Sequence, residues 1–193
     1  MFPVRVLPAG FYMRSPDVVA RELLGKTLVR VVDGERLEGI VVETEAYYGK
    51  GDPASRAYKG RSKYNTAMWE VPGRLFVYNV HKYLMLNVVA HVPSGVGGVL
   101  FRAIEPTFGL DAMMRRRPVI DMRELTSGPG KLSLALGVTR ELNGVHVTDT
   151  GAPVHILDAP PVLVYGTSHR IGVTHDLPDE LRFYVNGNRF VSR

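Results

Sequence analysis

Turn-forming residues interrupt the sequence along its whole length and restrict the chain to short helices and strands. Its 193 residues include 20 glycines and 13 prolines, and these are dispersed rather than clustered. Dispersed glycine and proline mark turns between elements, whereas a clustered run would indicate a disordered tract. A chain of this length can build one domain with a substantial core but is short for two. We therefore expect residues 1–193 to form a single domain.

Apolar patterns between these turns predict a mixture of helices and strands. Ser15 and Pro16 form a helix-start signature before an apolar segment of helical periodicity, which Gly25 ends. The other predicted elements are helices at 110–117 and 131–136, a helical turn at 66–69, and strands at 26–32, 37–44, 75–80, 84–89 and 97–104, with two more within 154–173. Together they predict a mixed α/β (α+β) fold with an antiparallel sheet and peripheral helices.

The middle of the chain carries all of its excess positive charge. The net charge is +5, and residues 51–130 contain 11 basic and 6 acidic side chains, whereas the regions on either side are balanced. Much of this charge lies in a polar connection, residues 49–74, which is long for a compact domain unless it binds a ligand. A localised basic stretch attracts a polyanion such as nucleic acid. A solvated basic surface has the same composition, so both interpretations are open at this point.

Composition excludes several classes of site. The chain has no cysteine, which rules out disulfides, thiolate zinc sites and cysteine nucleophiles. Its six histidines lack metal-binding spacing, so we expect neither a metal nor another cofactor. No apolar run reaches the length of a signal peptide or a transmembrane helix. We expect an intracellular protein of the cytoplasm or nucleoid, with no membrane partner.

Glu43, Glu45 and Tyr47 stand at the end of a predicted strand, where it meets the basic connection. Alternate residues of a strand share a face, so the two carboxylates and the phenol point in one direction. Such a carboxylate can activate water and stabilise the oxocarbenium-like state through which a glycosidic bond is hydrolysed. A half-exposed edge strand with solvated glutamates has the same pattern, and the residues alone leave both interpretations open.

Seven segments, in order along nearly the whole chain, resemble the alkyladenine (3-methyladenine) DNA glycosylase family. They are 19–25 (VARELLG), 42–47 (VETEAY), 51–55 (GDPAS), 71–78 (VPGRLFVY), 86–89 (LNVV), 100–106 (LFRAIEP) and 125–132 (LTSGPGKL). Each is a weak signal alone, but together and in this order they are highly specific. The resemblance implies a curved antiparallel sheet that carries a hairpin into the DNA minor groove. It also implies an enzyme that flips a damaged purine out of double-stranded DNA and hydrolyses its glycosidic bond.

The resemblance assigns roles to individual residues. Glu45 is the general base for water, and Arg102 lies near that water and the target nucleotide. Tyr47 and Tyr78 sandwich the flipped base, as an extruded base requires, and Asn87 crowds the exocyclic amino group of guanine. Contacts with the DNA backbone are expected from Lys59, Arg61, Lys63, Lys82 and Lys131.

The chain departs from the family pattern at two positions. Arg56 replaces a histidine that contacts the base, and its permanent charge would disfavour a cationic, alkylated purine. We therefore expect a shift toward neutral damaged purines. At the hairpin tip, His81 aligns with the tyrosine that fills the gap left by the flipped nucleotide. Tyr83 is its rival if the hairpin has a different register.

The expected activity is that of a monomeric, monofunctional glycosylase. Its expected substrates are 3-methyladenine, other N-alkylpurines, hypoxanthine and, as a further candidate, ethenoadenine. A lyase needs an amine nucleophile, which a glutamate-activated water does not supply, so no strand cleavage is expected. The alternatives are a non-catalytic module that binds damaged nucleic acid and a hydrolase of RNA or free nucleotides. Residues 115–117 are either a solvated helix end or a further contact with the DNA backbone.

Overall fold

The computed structural model describes residues 5–192, which are organised around one strongly curled antiparallel sheet. Its eight strands are β1 (Thr27–Val32), β2 (Glu35–Tyr47), β3 (Leu75–Val80), β4 (Tyr83–Val89), β5 (Gly98–Phe108), β6 (Val154–Leu157), β7 (Tyr165–Ser168) and β8 (Arg182–Val185). The order across the sheet is β3-β4-β5-β2-β1-β6, and β8 pairs with both β2 and β7. The predicted antiparallel sheet is confirmed.

Four short α-helices pack around the sheet, which confirms the mixed α/β class. They are α1 (Ala9–Tyr12), α2 (Pro16–Leu23), α3 (Leu110–Arg116) and α4 (Pro129–Ala135). Val19, Ala20 and Leu23 of α2 are fully buried because their spacing places them on one helix face. The predicted start of α2 is correct in position, but the Ser15 hydroxyl binds the Asp17 carboxylate rather than capping a backbone N–H. Across residues 5–192, no helix is long and apolar enough to cross a membrane.

Strand β2 is the central strand of the sheet and has neighbours on both edges. One edge pairs with β5, while the other pairs with β1 up to Ile40 and with β8 from Glu43 to Glu45. Residues 41–46 are consequently all buried. Solvated glutamates on an edge strand are therefore the wrong interpretation, because Glu43 and Glu45 have no exposed surface. The strand also continues to Tyr47, three residues beyond its predicted end.

Candidate active site

Irregular strand pairing brings an arginine between the two buried glutamates. The register of β2 against β5 shifts on both sides of Glu43, and Arg102 of β5 is left without a partner opposite it. Bulges of this kind re-aim a side chain. The Arg102 Nε donates to Glu43 Oε1 at 2.7 Å, and its Nη1 lies 3.1 Å from Glu45 Oε1. One guanidinium therefore serves two carboxylates.

Glu43 is held in the ionised state by several further donors. Its Oε1 also accepts from Arg182 Nε at 2.7 Å and from the Ser192 hydroxyl at 2.7 Å, and its Oε2 accepts from the Ser192 backbone N–H at 2.6 Å. Burial by itself would raise the pKa of Glu43, but Arg102, Arg182 and Ser192 outweigh it and lower that pKa. All of its oxygens are engaged, so this carboxylate is suited to structure rather than to proton transfer.

Glu45 has fewer charge partners and the opposite pKa shift. Its Oε2 accepts from the Tyr47 hydroxyl at 2.7 Å, and its Oε1 accepts from the Ile171 N–H at 2.8 Å. Burial raises the pKa of Glu45; Arg102, Ile171 and Tyr47 oppose that shift, but the charge of Arg102 is shared with Glu43. A raised pKa makes Glu45 the stronger base of the pair and the better acceptor for a proton from water.

A cavity of about 850 Å³, the central cavity, opens against the residues that surround Glu45, whereas the Glu45 side chain itself has no exposed surface and does not line it. Leu100, which pairs with Glu45 across the sheet, lines it, as do Tyr47 and Ile171, both hydrogen-bonded to Glu45. Small-ligand sites typically enclose about 300–1,000 Å³, so a flat heterocycle fits this space. The site residues predicted from the sequence that line it are Tyr47, Arg56, Tyr78, His81, Tyr83, Arg102 and Lys131.

Asn87 lies on the same row of the sheet as Glu45 but does not line the central cavity. It pairs with Leu100, which in turn pairs with Glu45, so Asn87 is two strands away from the carboxylate. Its side-chain amide donates to the carbonyl oxygens of Phe76 at 3.0 Å and Met85 at 3.2 Å. The contact between Asn87 and a bound base therefore stays a prediction.

Arg170 organises the site, although the sequence analysis did not identify it. Its side chain is fully buried and donates two hydrogen bonds of 2.7 Å to Asp52, two of 2.8 and 2.5 Å to Asp176 and one of 3.0 Å to the Ala46 carbonyl. The guanidinium also lies 4.6 Å from the centroid of the Tyr47 ring. Arg170 thereby fixes the Tyr47 ring and the backbone of the next residue, Ile171, whose N–H donates to the Glu45 carboxylate.

The turn between β3 and β4 consists of two exposed residues, His81 and Lys82. His81 has φ = 51°, a left-handed conformation that is uncommon for residues other than glycine but that histidine, like asparagine and aspartate, adopts more often than most. The next residue, Tyr83, is 36% exposed, and the Lys82 ammonium lies 5.3 Å from its ring centroid. Both His81 and Tyr83 line the central cavity, so either can act there.

A second cavity, the basic groove, adjoins the central one. It has a volume of about 780 Å³ and shares Arg56 and Tyr78 with the central cavity. Its lining includes the predicted backbone-contacting residues Lys59, Arg61 and Lys63, together with Arg140. This groove has the charge that a polyanion requires.

The three arginines at the end of α3 lie in two environments. Arg115 forms an ion pair with Glu35, and the Nη2 of Arg116 lies 2.7 Å from Asp33. Arg117 instead lines the central cavity. Two of the three charges are therefore balanced locally.

Within residues 5–192, no three histidine, aspartate or glutamate side chains are grouped so that they could hold a metal ion.

Comparisons with known proteins match nearly the whole chain to one protein family. The family model described as Methylpurine-DNA glycosylase (MPG) matches residues 10–189. A protein of Aeropyrum pernix named "Putative 3-methyladenine DNA glycosylase" is 42% identical over 192 residues, which cover 98% of this chain and 94% of that protein. Proteins with the same name from Methanoculleus marisnigri and Bacillus subtilis are 42% and 40% identical over 97% of this chain, and the matches cover 98% and 96% of those proteins.

Proposed function

Because the chain belongs to the methylpurine-DNA glycosylase family, we propose that it excises damaged purines from double-stranded DNA with Glu45 as the general base. Membership of the family makes it a DNA glycosylase, a hydrolase of N-glycosyl bonds. The observation that carries the proposal is a buried carboxylate of raised pKa whose hydrogen-bond partners, Tyr47 and Ile171, line a cavity large enough to admit a nucleobase. The substrates that we propose are 3-methyladenine, other N-alkylpurines, hypoxanthine and ethenoadenine.

In the proposed complex, the basic groove binds the phosphates that flank the damaged nucleotide. Its lysines and arginines are exposed and displace counterions from the backbone. The extruded base enters the central cavity and stacks against Tyr47 and Tyr78, whose rings line it. His81 fills the gap in the duplex, with Tyr83 as its rival. One copy of the chain contains all of these residues, so we propose that it acts as a monomer.

The proposed chemistry is attack of water on the sugar C1′ atom. Glu45 accepts a proton from the water, and its negative charge stabilises the oxocarbenium-like state as the C1′–N bond breaks. The electron pair of that bond leaves with the purine. Arg102 lies 3.1 Å from Glu45, so it orients the carboxylate and stays close to the attacking water. Glu43 keeps Arg102 in place but does not transfer a proton.

Single-turnover release of hypoxanthine and of an N-alkylated adenine from matched duplexes tests this proposal. We expect Glu45→Gln to slow release about a thousandfold, within the range of general-base effects, while the affinity for the duplex is kept. Glu38→Gln, which removes a charge elsewhere on the same strand, is the matched control and should retain full activity. Tight binding without release by the wild type would instead identify a non-catalytic binding module, and release unaffected by Glu45→Gln would refute the role of Glu45.

We also propose that the enzyme has no lyase activity. Lys131 is the lysine that lines the central cavity, and its ammonium is ion-paired with Glu124. A Schiff base with the sugar requires a neutral amine. Borohydride added during turnover should therefore trap no covalent complex, and the strand should break only after alkaline treatment. A trapped complex that disappears in Lys131→Gln would overturn this part of the proposal.

A further inference from the structure

Arg56 stands at the junction of the basic groove and the central cavity and lines both. Its guanidinium carbon lies 4.5 Å from the centroid of the Tyr78 ring, a cation–π geometry. Its backbone is fixed, because the buried amide of Asn65 donates to the Arg56 carbonyl at 2.8 Å. The cation–π contact thus places the guanidinium against a ring that is proposed to stack on the base.

The charge of Arg56 is not balanced by a carboxylate. Every charged side chain that lines the central cavity is basic: Arg56, Arg102, Arg117 and Lys131. Arg102 is ion-paired with Glu43 and Glu45, and Lys131 with Glu124. Within residues 5–192, Arg56 has no such ion pair, and the aromatic ring of Tyr78 is its principal partner. Among residues 5–192, Arg56 and Arg117 are the basic side chains of the lining without an ion pair, so Arg56 adds an unbalanced positive charge to the cavity wall.

We propose that Arg56 makes this site selective for neutral damaged purines and against purines that alkylation leaves cationic. The inference rests on the proposed glycosylase function and specifies its substrate class. A cationic base stacked on Tyr78 would place a second positive charge within several ångströms of the guanidinium, and the two like charges repel each other there, with solvent screening part of the repulsion because Arg56 is exposed. The Tyr78 ring already interacts with the Arg56 cation, so it attracts a second cation less strongly.

The leaving step reinforces the same preference. When the C1′–N bond of a neutral purine breaks, the electron pair moves to the purine nitrogen and negative charge develops on the base. Arg56 stabilises that charge until the base takes up a proton from solvent. A cationic purine receives the same electron pair and becomes neutral, so it gains nothing from a nearby guanidinium. In both cases the water oxygen bonds to C1′ and its proton goes to Glu45.

The test compares hypoxanthine, which is neutral, with 7-methylguanine, which is cationic, in otherwise identical duplexes. Each single-turnover rate is divided by the spontaneous rate of base loss from the same duplex, because the cationic base leaves more readily without any enzyme. We expect this rate enhancement to be larger for hypoxanthine in the wild type. In Arg56→Gln the ratio of the two enhancements should fall about tenfold, since one nearby charge is removed.

Two variants separate charge from structure. Arg56→Lys keeps the charge and should keep most of the preference, and Lys50→Gln removes an exposed charge from the same connection outside both cavities and should leave the ratio unchanged. If both bases are released and Arg56→Gln leaves the ratio as in the wild type, the inference is overturned while the glycosylase function stands. If the wild type releases neither base, the proposed function fails and the inference fails with it.

Discussion

Glu43 and Glu45 show how two like residues on one strand acquire different roles. Both are completely buried and both contact Arg102. Glu43 gains two additional partners, Arg182 and Ser192, and its pKa is lowered; Glu45 lacks a second cation, and its pKa is raised by burial. Environments that push two neighbouring carboxylates apart in pKa are typical of catalytic sites. At neutral pH, ionised Glu43 therefore stabilises the fold, while ionised Glu45 destabilises it.

The thermal stabilities of Glu43→Gln and Glu45→Gln should differ in sign. Glu43→Gln leaves Arg102 and Arg182 buried without their carboxylate, which destabilises a protein by about 3–5 kcal/mol and lowers Tm by roughly 10 °C for a chain of this size. Glu45→Gln removes a carboxylate whose folded pKa is raised, so Tm should stay or rise. Thermal melts at neutral pH, followed by circular dichroism, provide the measurement. Equal losses of Tm in both variants would contradict the assigned difference.

As pH falls, base release should be lost before the protein unfolds, because Glu45 controls the first event and Glu43 contributes to the second. Glu45 must be ionised to accept a proton. Because its pKa is raised, lowering the pH should reduce the rate of base release while the pH is still above the ordinary pKa of glutamate. Glu43 has a lowered pKa, so its stabilisation is complete above the ordinary pKa of glutamate and is lost only as pH falls through the lowered value. Single-turnover rates and circular dichroism over one pH series should show inactive but folded protein. Loss of both signals together would argue against this assignment.

At the scale of single elements, the β3–β4 turn combines strain with exposure. His81 adopts φ = 51° at the first position of a two-residue connection, where glycine would be unstrained. Strained residues persist where function requires them. We expect His81→Gly to raise stability by at most about 1 kcal/mol, because the strain that glycine relieves is partly offset by its larger entropy in the unfolded chain. It should also slow base release, because the side chain that fills the duplex gap is lost.

Tyr83→Leu is the matched comparison for the same turn. Tyr83 lies in β4 and packs against Gly130, so the substitution keeps an apolar contact while removing the flat ring. If His81 fills the gap, His81→Gly lowers the single-turnover rate more than Tyr83→Leu does. The reverse order would assign the role to Tyr83. Fluorescence of 2-aminopurine placed beside the lesion reports the flipping step directly and separates it from bond cleavage.

The sequence predicts regular elements well where local pattern decides them. The strand at 75–80 and the helical turn at 66–69 have their predicted limits, because turn residues bound each of them. The end of β2 was missed since a strand covered on both edges and both faces loses the alternation that marks a strand. Strand β8 and helix α1 were also missed; each has four residues, too few for a periodic signal.

At the scale of the whole molecule, the candidate site depends on contacts between distant parts of the chain. Glu43 and Ser192 are separated by 149 positions, and Arg170 and Asp52 by 118. The sequence predicted seven of the residues that line the central cavity but not its wall at 171–175, and no local pattern marks Arg170 or Arg182 as partners of buried carboxylates. Their roles follow from the curl of the sheet, which returns the C-terminal strands to the middle of β2.

The charge distribution of the whole molecule predicts how binding to DNA depends on salt. The excess charge is concentrated in residues 51–130, and the basic groove exposes Lys59, Arg61 and Lys63. Each phosphate contact contributes about 0.9 to the slope of log affinity against log salt concentration, so replacing all three by glutamine should reduce the slope by about 3. Arg115→Gln, which removes a charge already paired with Glu35, should leave it unchanged. Fluorescence anisotropy with an undamaged duplex gives the slope for each variant. If the slope falls by the same amount per removed charge in both variants, the net charge of the protein, not the basic groove, binds the backbone.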